Sequence, residues 1–437
     1  PVLRYADDQP RLVALPRGRT VVDNRFTRFT GCPPVILPGM TPTTADVPIV
    51  AAAANAGFVA ELAGGGQVNE RIFWLRMEEL AEALEPGREV VFNALLLDPW
   101  LWELHLGRHD LVRKARRAGF PLMGVTVSAG IPDVAQAVSL LDGLASDGLW
   151  LNAFKPGTLA QVDQVVRIAK AAPEHTLLVH LEGGKAGGHH SWEDLDGLLM
   201  AAMPKLRALP NLILCAGGGI AHEERAVELL DGSWAQAHQA PKMPVDAVLL
   251  GTVAMACKEA ATSTQVKSAL AEAAGDPDWV LSGDVRGGLT SGRSQLNADI
   301  HYLDNAASRC GRLLDEVAGD GGAVLARREE IVAALAATCK PWFGDLRTLS
   351  CADLLRRMLE LMAIGRDGRY EDGRWPDRTW RERFADMLWR LEARLVGGRA
   401  DAGARTSVLA TLDELDAPEA VLERLFAAFP EAQQQPV

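Results

Sequence analysis

The sequence has no Cys-x-x-Cys pair and no Cys/His spacing of the metal-binding kind; its six cysteines stand apart at 32, 215, 257, 310, 339 and 351. No metal site is therefore expected. Cys215 and Cys257 lie in apolar runs and read as small buried residues, and a reducing, cytoplasmic setting fits the pattern best. An excess of basic charge is also missing. The net charge of −12 argues against non-specific binding to nucleic acid and offers little to an anionic membrane. There is no signal-peptide pattern and no apolar run long enough to cross a bilayer. No Gly-x-Gly-x-x-Gly stands between a strand and a helix, and no Walker A sequence occurs, so nucleotide folds of those two kinds are not expected. What remains, 48% hydrophobic and 23% charged residues over 437 positions, is an ordinary globular composition. The chain begins at Pro1 rather than Met, which suggests a piece of a longer polypeptide.

The first two-thirds alternate regularly. Short apolar runs begin near residues 34, 58, 89, 122, 149, 176, 211 and 246, among them "PVILPG", "FVAELAGG", "TLLVHLEGG" and "DAVLLGT". Their continuous apolar character suits parallel strands covered on both faces. Between them lie amphipathic stretches such as "NERIFWLRMEELAEAL" and "LAQVDQVVRIAKAA", with Asp46, Asn69 and Thr158 as helix caps. Eight such units predict a (β/α)₈ TIM barrel over 31–261, after a lead-in at 1–30; an open doubly wound sheet is the alternative. After 262 the alternation gives way to amphipathic patterns, which predict an all-helical second domain to about 397. Residues 398–437 are expected to hold a linker and the start of another element.

Barrel active sites sit at the C-terminal ends of the strands, so the residues found there are the candidates. Strand 1 is followed by Pro38-Gly39-Met40-Thr41, strand 3 carries Asn93, strand 4 Thr126 and strand 5 Lys155. Strand 6 runs into "EGGKAGGHHSWEDLD", from Glu182 through Gly183, Gly184, Gly187 and Gly188 to His189 and His190. Strand 7 ends in Gly217-Gly218-Gly219 and strand 8 in Gly251-Thr252. Glycine turns after strands 7 and 8 suit a phosphate, because the backbone can approach closely and N–H groups at a helix start face the anion. Asn93 and Thr126 suit the amide-like edge of a flat ligand, and Lys155 suits negative charge on its ring. Each also has a structural reading: a tight turn, a cap, a common strand residue or a solvated rim. The two histidines, held by a glycine loop, can supply a proton to a developing carbanion. Further on, Thr290, Ser291, Arg293 and Ser294 form a polar cluster expected in a loop before a helix, where a dinucleotide or substrate could bind.

The stretches "EGGKAGGHHSWEDLD", "PVILPGMTPTT", "LNAFKPG", "AGGGI" and "LTSGRSQLNADIHYLDN" resemble the enoyl reductase domain of type I fatty acid synthases, of the single-chain actinobacterial kind and similar to the fungal β subunit. The barrel also resembles flavin-dependent enoyl-ACP reductases and nitronate monooxygenases. This resemblance implies bound FMN, NADPH or NADH as reductant, and a trans-2-enoyl chain on acyl carrier protein as substrate. It also implies neighbouring synthase domains and a homo-oligomeric assembly. His189, which directly follows Gly-Gly, matches the family's proton donor; His190 is the second candidate or orients its neighbour. The rival readings are a nitronate monooxygenase-like flavoprotein, a non-catalytic structural module and a non-redox phosphate-sugar barrel.

Overall fold

In the computed structural model, residues 5–274, 284–293, 298–338, 345–363, 375, 378–397 and 407–434 are described. Eight parallel strands close into one barrel: β1 (Val35–Leu37), β2 (Val59–Ala63), β3 (Val90–Leu95), β4 (Leu122–Ser128), β5 (Asn152–Phe154), β6 (Leu177–Glu182), β7 (Leu212–Gly217) and β8 (Ala247–Leu249). Each pairs with its neighbours in sequence, and β8 closes onto β1 through Val248 and Val35. All eight expected strands are present, and the open-sheet alternative is excluded.

Strand side chains alternate between the two faces, and this builds the interior in tiers. Ile36, Val59, Val91, Leu151, Leu178, Ile213 and Ala247 form an apolar cluster inside the barrel. Two residues further along their strands stand the buried polar groups Glu61, Asn93 and His180, with Thr126 beside them on β4. The outward residues, such as Leu62, Phe92, Val125 and Val179, pack against the surrounding helices. Thus the N-terminal half of the barrel is a sealed apolar core, and polarity begins towards the ends where a site is expected.

The first thirty residues are more than a lead-in. A hairpin (Arg11–Leu15 with Arg19–Asp23) precedes the helix Arg25–Thr30. That helix is capped by Asn24 in a reciprocal box with Thr27 and ended by Gly31 in the left-handed conformation. It inserts Phe26 into the barrel's apolar cluster. Asn24 donates to the Asp246 carbonyl and Arg25 to that of Leu212, so the helix sits across the N-terminal ends of β7 and β8. Cys215 is buried as expected, whereas Cys257 is exposed, because it follows the short turn Thr252–Ala256 rather than lying inside an element.

The region after 262 begins with the helix Thr264–Glu272 but then forms strands: β9 (Val285–Arg286), β10 (Leu289–Arg293) and β11 (Asp299–Leu303). Gly287 and Gly288, both at positive φ, make the two-residue turn between β9 and β10. The helical expectation for "IHYLDN" therefore fails up to Leu303. Beyond it the helices are as expected. They include Ala306–Val317, Arg328–Ala337, Cys351–Met362, Arg378–Gly397 and Pro418–Ala428. Two compact units result, residues 1–68 with 72–303 and residues 69–71 with 304–437. Their boundary falls at Leu303/Asp304 because the small sheet belongs to the first unit. In the second, Pro418–Ala428 shares one core with Cys351–Met362 and Arg378–Gly397 through Leu355, Phe384 and Phe426. Residues 398–406 of the expected linker lie outside the described residues. Among those described, no helix is long and apolar enough to cross a membrane.

Candidate active site

The barrel mouth is built from residues that the sequence pointed to and from several that it did not. Strands β7 and β8 run side by side, with Ala216 opposite Val248, so the turns at Gly217–Gly219 and Gly251–Thr252 are neighbours. The loop after β6 lies against them. Gly183 N–H donates to the Gly217 carbonyl at 3.0 Å, and a Cβ on Gly187 would lie 2.7 Å from Thr252 Oγ1. A Cβ on Gly251 would lie 3.5 Å from Met40 Sδ and 3.9 Å from Pro38. The glycines after strands 6, 7 and 8 therefore converge with the strand-1 loop on one side of the mouth. Gly184 serves the loop itself, its N–H donating to the Glu193 carbonyl at 2.8 Å.

The helix after β7, Glu223–Asp231, carries Glu223 and Glu224 in its first turn, and the segment after β8 is one short 3₁₀ turn. Acidic side chains at a helix start oppose an anion. Any anion-binding capacity here rests on the N–H groups of the glycine loops, with Gly218 at φ 100 and Gly219 at φ 75.

At the ends of β5 and β6 stands a charged pair, Lys155 Nζ and Glu182 Oε2, 3.1 Å apart, their side chains 13% and 20% exposed. Burial by itself would lower the Lys155 pKa, but Glu182 and Glu61 outweigh it and hold the amine above its ordinary value. Lys155 therefore carries its charge throughout the neutral range.

Asn93 and Thr126, expected to meet a ligand's edge, are hydrogen-bonded to a residue the sequence reading passed over. Glu61 accepts hydrogen bonds from Asn93 Nδ2 (2.7 Å), Thr126 Oγ1 (2.6 Å) and the Gly39 N–H (2.6 Å). His180, also missed, places Nδ1 3.4 Å from Glu61 Oε1. That is a contact rather than a hydrogen bond, and both His180 nitrogens are buried without a partner among the described residues.

The histidine pair is held in a way the sequence did not suggest. Gly188–His189 forms the edge strand of the small sheet, pairing with β11 through His189–Ile300 and Gly188–His301. Alternation sets the two histidines on opposite faces. His190 stacks on His301 with ring centroids 3.6 Å apart and meets Trp192 edge-on, while Trp192 donates to Asp299 at 2.7 Å. His190 Nδ1 faces the Ser191 carbonyl, an acceptor, so in the neutral ring that nitrogen carries the proton. Its buried Nε2 is then an acceptor without a partner among the described residues. Burial lowers the pKa of both histidines; for His190 the nearby Ser191 carbonyl opposes this and His301 adds to it. Ser291 lies in β10, directly opposite His301, rather than in a loop. Arg293 ends the same strand, and Ser294 lies outside the described residues.

Two buried histidines, His105 and His180, contribute to the acid sensitivity of the fold. His105 is fully buried between Phe73 and Phe92 and donates Nε2–H to the Gln67 carbonyl at 2.9 Å. Burial lowers its pKa to about 4, and that of His180 to about 4. The unfolded chain takes up these protons as pH falls through 6.5, whereas the fold resists until about 4. Stability should therefore drop across that window, by about 1.4 kcal/mol per pH unit for each histidine. Urea midpoints measured from pH 7 to 5 test this. His105→Gln should reduce the slope by one such increment; an unchanged slope would mean that His105 is already protonated in the fold.

Fold and site together define a (β/α)₈-barrel protein with a glycine-built mouth above a tier of buried polar side chains. The chain belongs to the fatty acid synthase subunit beta/Fas1-like family, whose helical-region profile ("Fatty acid synthase subunit beta/Fas1-like, helical") matches residues 176–437. The fatty acid synthase subunit beta of Saccharomyces cerevisiae is 30% identical over 443 residues, 98% of this chain and 21% of that protein. The chain thus spans about a fifth of the relative's length. Among solved structures, FabK from Thermotoga maritima matches with a TM-score of 0.50 at 18% identity, over 72% of this chain and 84% of that one. The enoyl reductase domain of MlnA, from the macrolactin biosynthesis cluster of Bacillus amyloliquefaciens, matches with a TM-score of 0.51 at 12% identity, over 94% and 98%. At those identities the likeness is one of fold.

Proposed function

We propose that this chain is the FMN-dependent enoyl reductase module of a fatty acid synthase, reducing a trans-2-enoyl chain on acyl carrier protein with NADPH or NADH. The observation that carries the reading is the convergence of the glycine loops after β6, β7 and β8 beside a histidine-bearing edge strand. The family membership and the enoyl reductase domain of MlnA as a fold neighbour support it. The residues present fit a flat, phosphate-bearing cofactor. Gly218 and Gly219 expose backbone in the left-handed conformation, and His180 keeps two buried nitrogens unpartnered among the described residues.

When bound, FMN would supply the hydride chemistry between nicotinamide and enoyl β-carbon. Gly217, Gly218, Gly219, Gly251 and Thr252 would hold its phosphate. Pro38, Gly39, Met40 and Thr41 of the strand-1 loop and Glu182, Gly183, Gly184, Gly187 and Gly188 of the strand-6 loop would flank its ring, above Asn93 and Thr126. Lys155, held charged by Glu182, would oppose negative charge developing nearby. His189 would give a proton to the substrate's α-carbon. Neutral His190 keeps its only proton on Nδ1 against Ser191, which suits orienting the strand rather than donating. Ser291, on the sheet that carries His189 and His301, would contact the dinucleotide or substrate.

The direct test is to saturate the purified chain with FMN, remove the excess and record the visible spectrum with and without NADPH or NADH. Retained yellow colour, bleached by the dinucleotide and restored by a crotonyl thioester, is the expected result. Failure to retain FMN would sink the reading. Retained flavin that a nitronate reduces and dioxygen reoxidises, with no reoxidation by an enoyl thioester, would transfer the protein to the monooxygenase class.

A further inference from the structure

Glu61 is a carboxylate 1% exposed inside the barrel. Its Oε2 accepts from Gly39 N–H at 2.6 Å and Asn93 Nδ2 at 2.7 Å, and its Oε1 accepts from Thr126 Oγ1 at 2.6 Å. The donors come from the strand-1 loop, β3 and β4. An ionised carboxylate only accepts, so each contact has a fixed direction. The Asn93 amino group must face Glu61, which turns its carbonyl oxygen to Ser128, whose hydroxyl donates at 2.7 Å. The Thr126 proton is committed to Glu61, so its hydroxyl can only accept from any other group. One carboxylate thus decides how three groups at the top of the barrel are presented.

Packing alone does not account for this residue. A buried carboxylate is costly, and an apolar side chain of similar volume fills space as well or better. The apolar tier two residues below, with Val59 on the same strand, is built that way. No step of the proposed chemistry uses Glu61 as an acid or base. We propose that Glu61 is a positioning residue: by accepting from Gly39, Asn93 and Thr126 it holds the floor of the site in the one arrangement that receives the flavin ring. This rests on the flavin reading above.

The test titrates apoprotein with FMN and follows the quenching of flavin fluorescence, for the native chain and three variants. Glu61→Gln keeps the geometry: its oxygen can still accept from Gly39 and Asn93, and its amide can donate to Thr126, whose hydroxyl also accepts. Its affinity should stay close to native. Glu61→Asp keeps the charge but is one methylene too short, and Glu61→Ala removes the acceptors. Both should bind FMN more weakly by roughly 10–100-fold, the range found when the outer partners of a metal's ligands are removed. The visible circular dichroism of bound FMN, recorded at saturation, should change in Asp and Ala and not in Gln. A purely structural role would lower the melting temperature without altering that spectrum. Native affinity and spectrum in Glu61→Ala or Glu61→Asp would overturn the proposal, and so would a Gln variant as weak as Ala, since charge would then be what matters. If Glu61→Ala does not fold, the Gln and Asp pair still decides. Absence of quenching by the native chain would overturn the flavin reading together with this one.

Discussion

His189→Ala should still allow NADPH or NADH to bleach the bound flavin at close to the native rate, while reoxidation by a crotonyl thioester slows by about 10²–10⁴-fold, the usual contribution of a positioned acid. The split follows from where a proton is needed. Flavin reduction by the dinucleotide places no proton on carbon, whereas hydride addition to the enoyl thioester leaves an enolate whose α-carbon must take one. His190→Ala should be milder, because the neutral His190 ring already gives its Nδ1 proton to the Ser191 carbonyl and its face to His301. The pH dependence supplies a second readout. Burial holds the His189 pKa below its ordinary value. Native reoxidation should therefore slow as pH rises through that lowered pKa, and His189→Ala should lose this limb. Stopped-flow absorbance of the two half-reactions separates the outcomes. Normal turnover by His189→Ala with a block in His190→Ala would reverse the roles. Normal turnover by both would hand the proton to solvent or to Lys155.

The barrel was legible because parallel strands covered on both faces leave an unbroken apolar signal, and eight of them were separated by turn residues. Half of the polar tier, Asn93 and Thr126, was read from the strand ends, but Glu61 and His180 were not, for the same reason: in "FVAELAGG" and "LLVHLEGG" each is flanked on both sides by apolar residues. Counting by twos would have exposed them. Val59 to Glu61, Val91 to Asn93 and Leu178 to His180 each step from the apolar interior cluster to a buried polar group on the same inward face. The small sheet was missed because the long amphipathic pattern of Ala306–Val317 was extended backwards over Asp299–Leu303. The Gly287-Gly288 pair between "DVR" and "LTSGR" was a hairpin signal that went unused. The missed sheet changes the setting of the histidine loop, since β11 supplies the pairing partner of His189 and the ring under His190.

Gly218→Val should abolish FMN retention and lower stability at the same time. Gly218 has φ 100, a conformation that costs a residue with a side chain about 1–2 kcal/mol. Its Cβ would also lie 2.7 Å from the Gly183 carbonyl oxygen and 3.0 Å from the Gly183 nitrogen. The strand-6 loop has little room to retreat: Gly183 is tied by its N–H to Gly217, and its own Cβ position lies 2.6 Å from Leu195 Cβ. Overpacking of this kind adds about 1–3 kcal/mol. The sum, roughly 2–5 kcal/mol, is a large part of an ordinary domain's stability. Gly119→Ala, away from the mouth, is the control, with φ 89 and nothing within 4 Å of the added Cβ, so only the backbone cost applies and flavin should be retained. Thermal unfolding and flavin content, measured on both, distinguish a displaced loop from simple backbone strain. A Gly218→Val protein that melts like Gly119→Ala would remove the steric argument. One that keeps stoichiometric FMN would show that the phosphate is not cradled between the loops after β7 and β8.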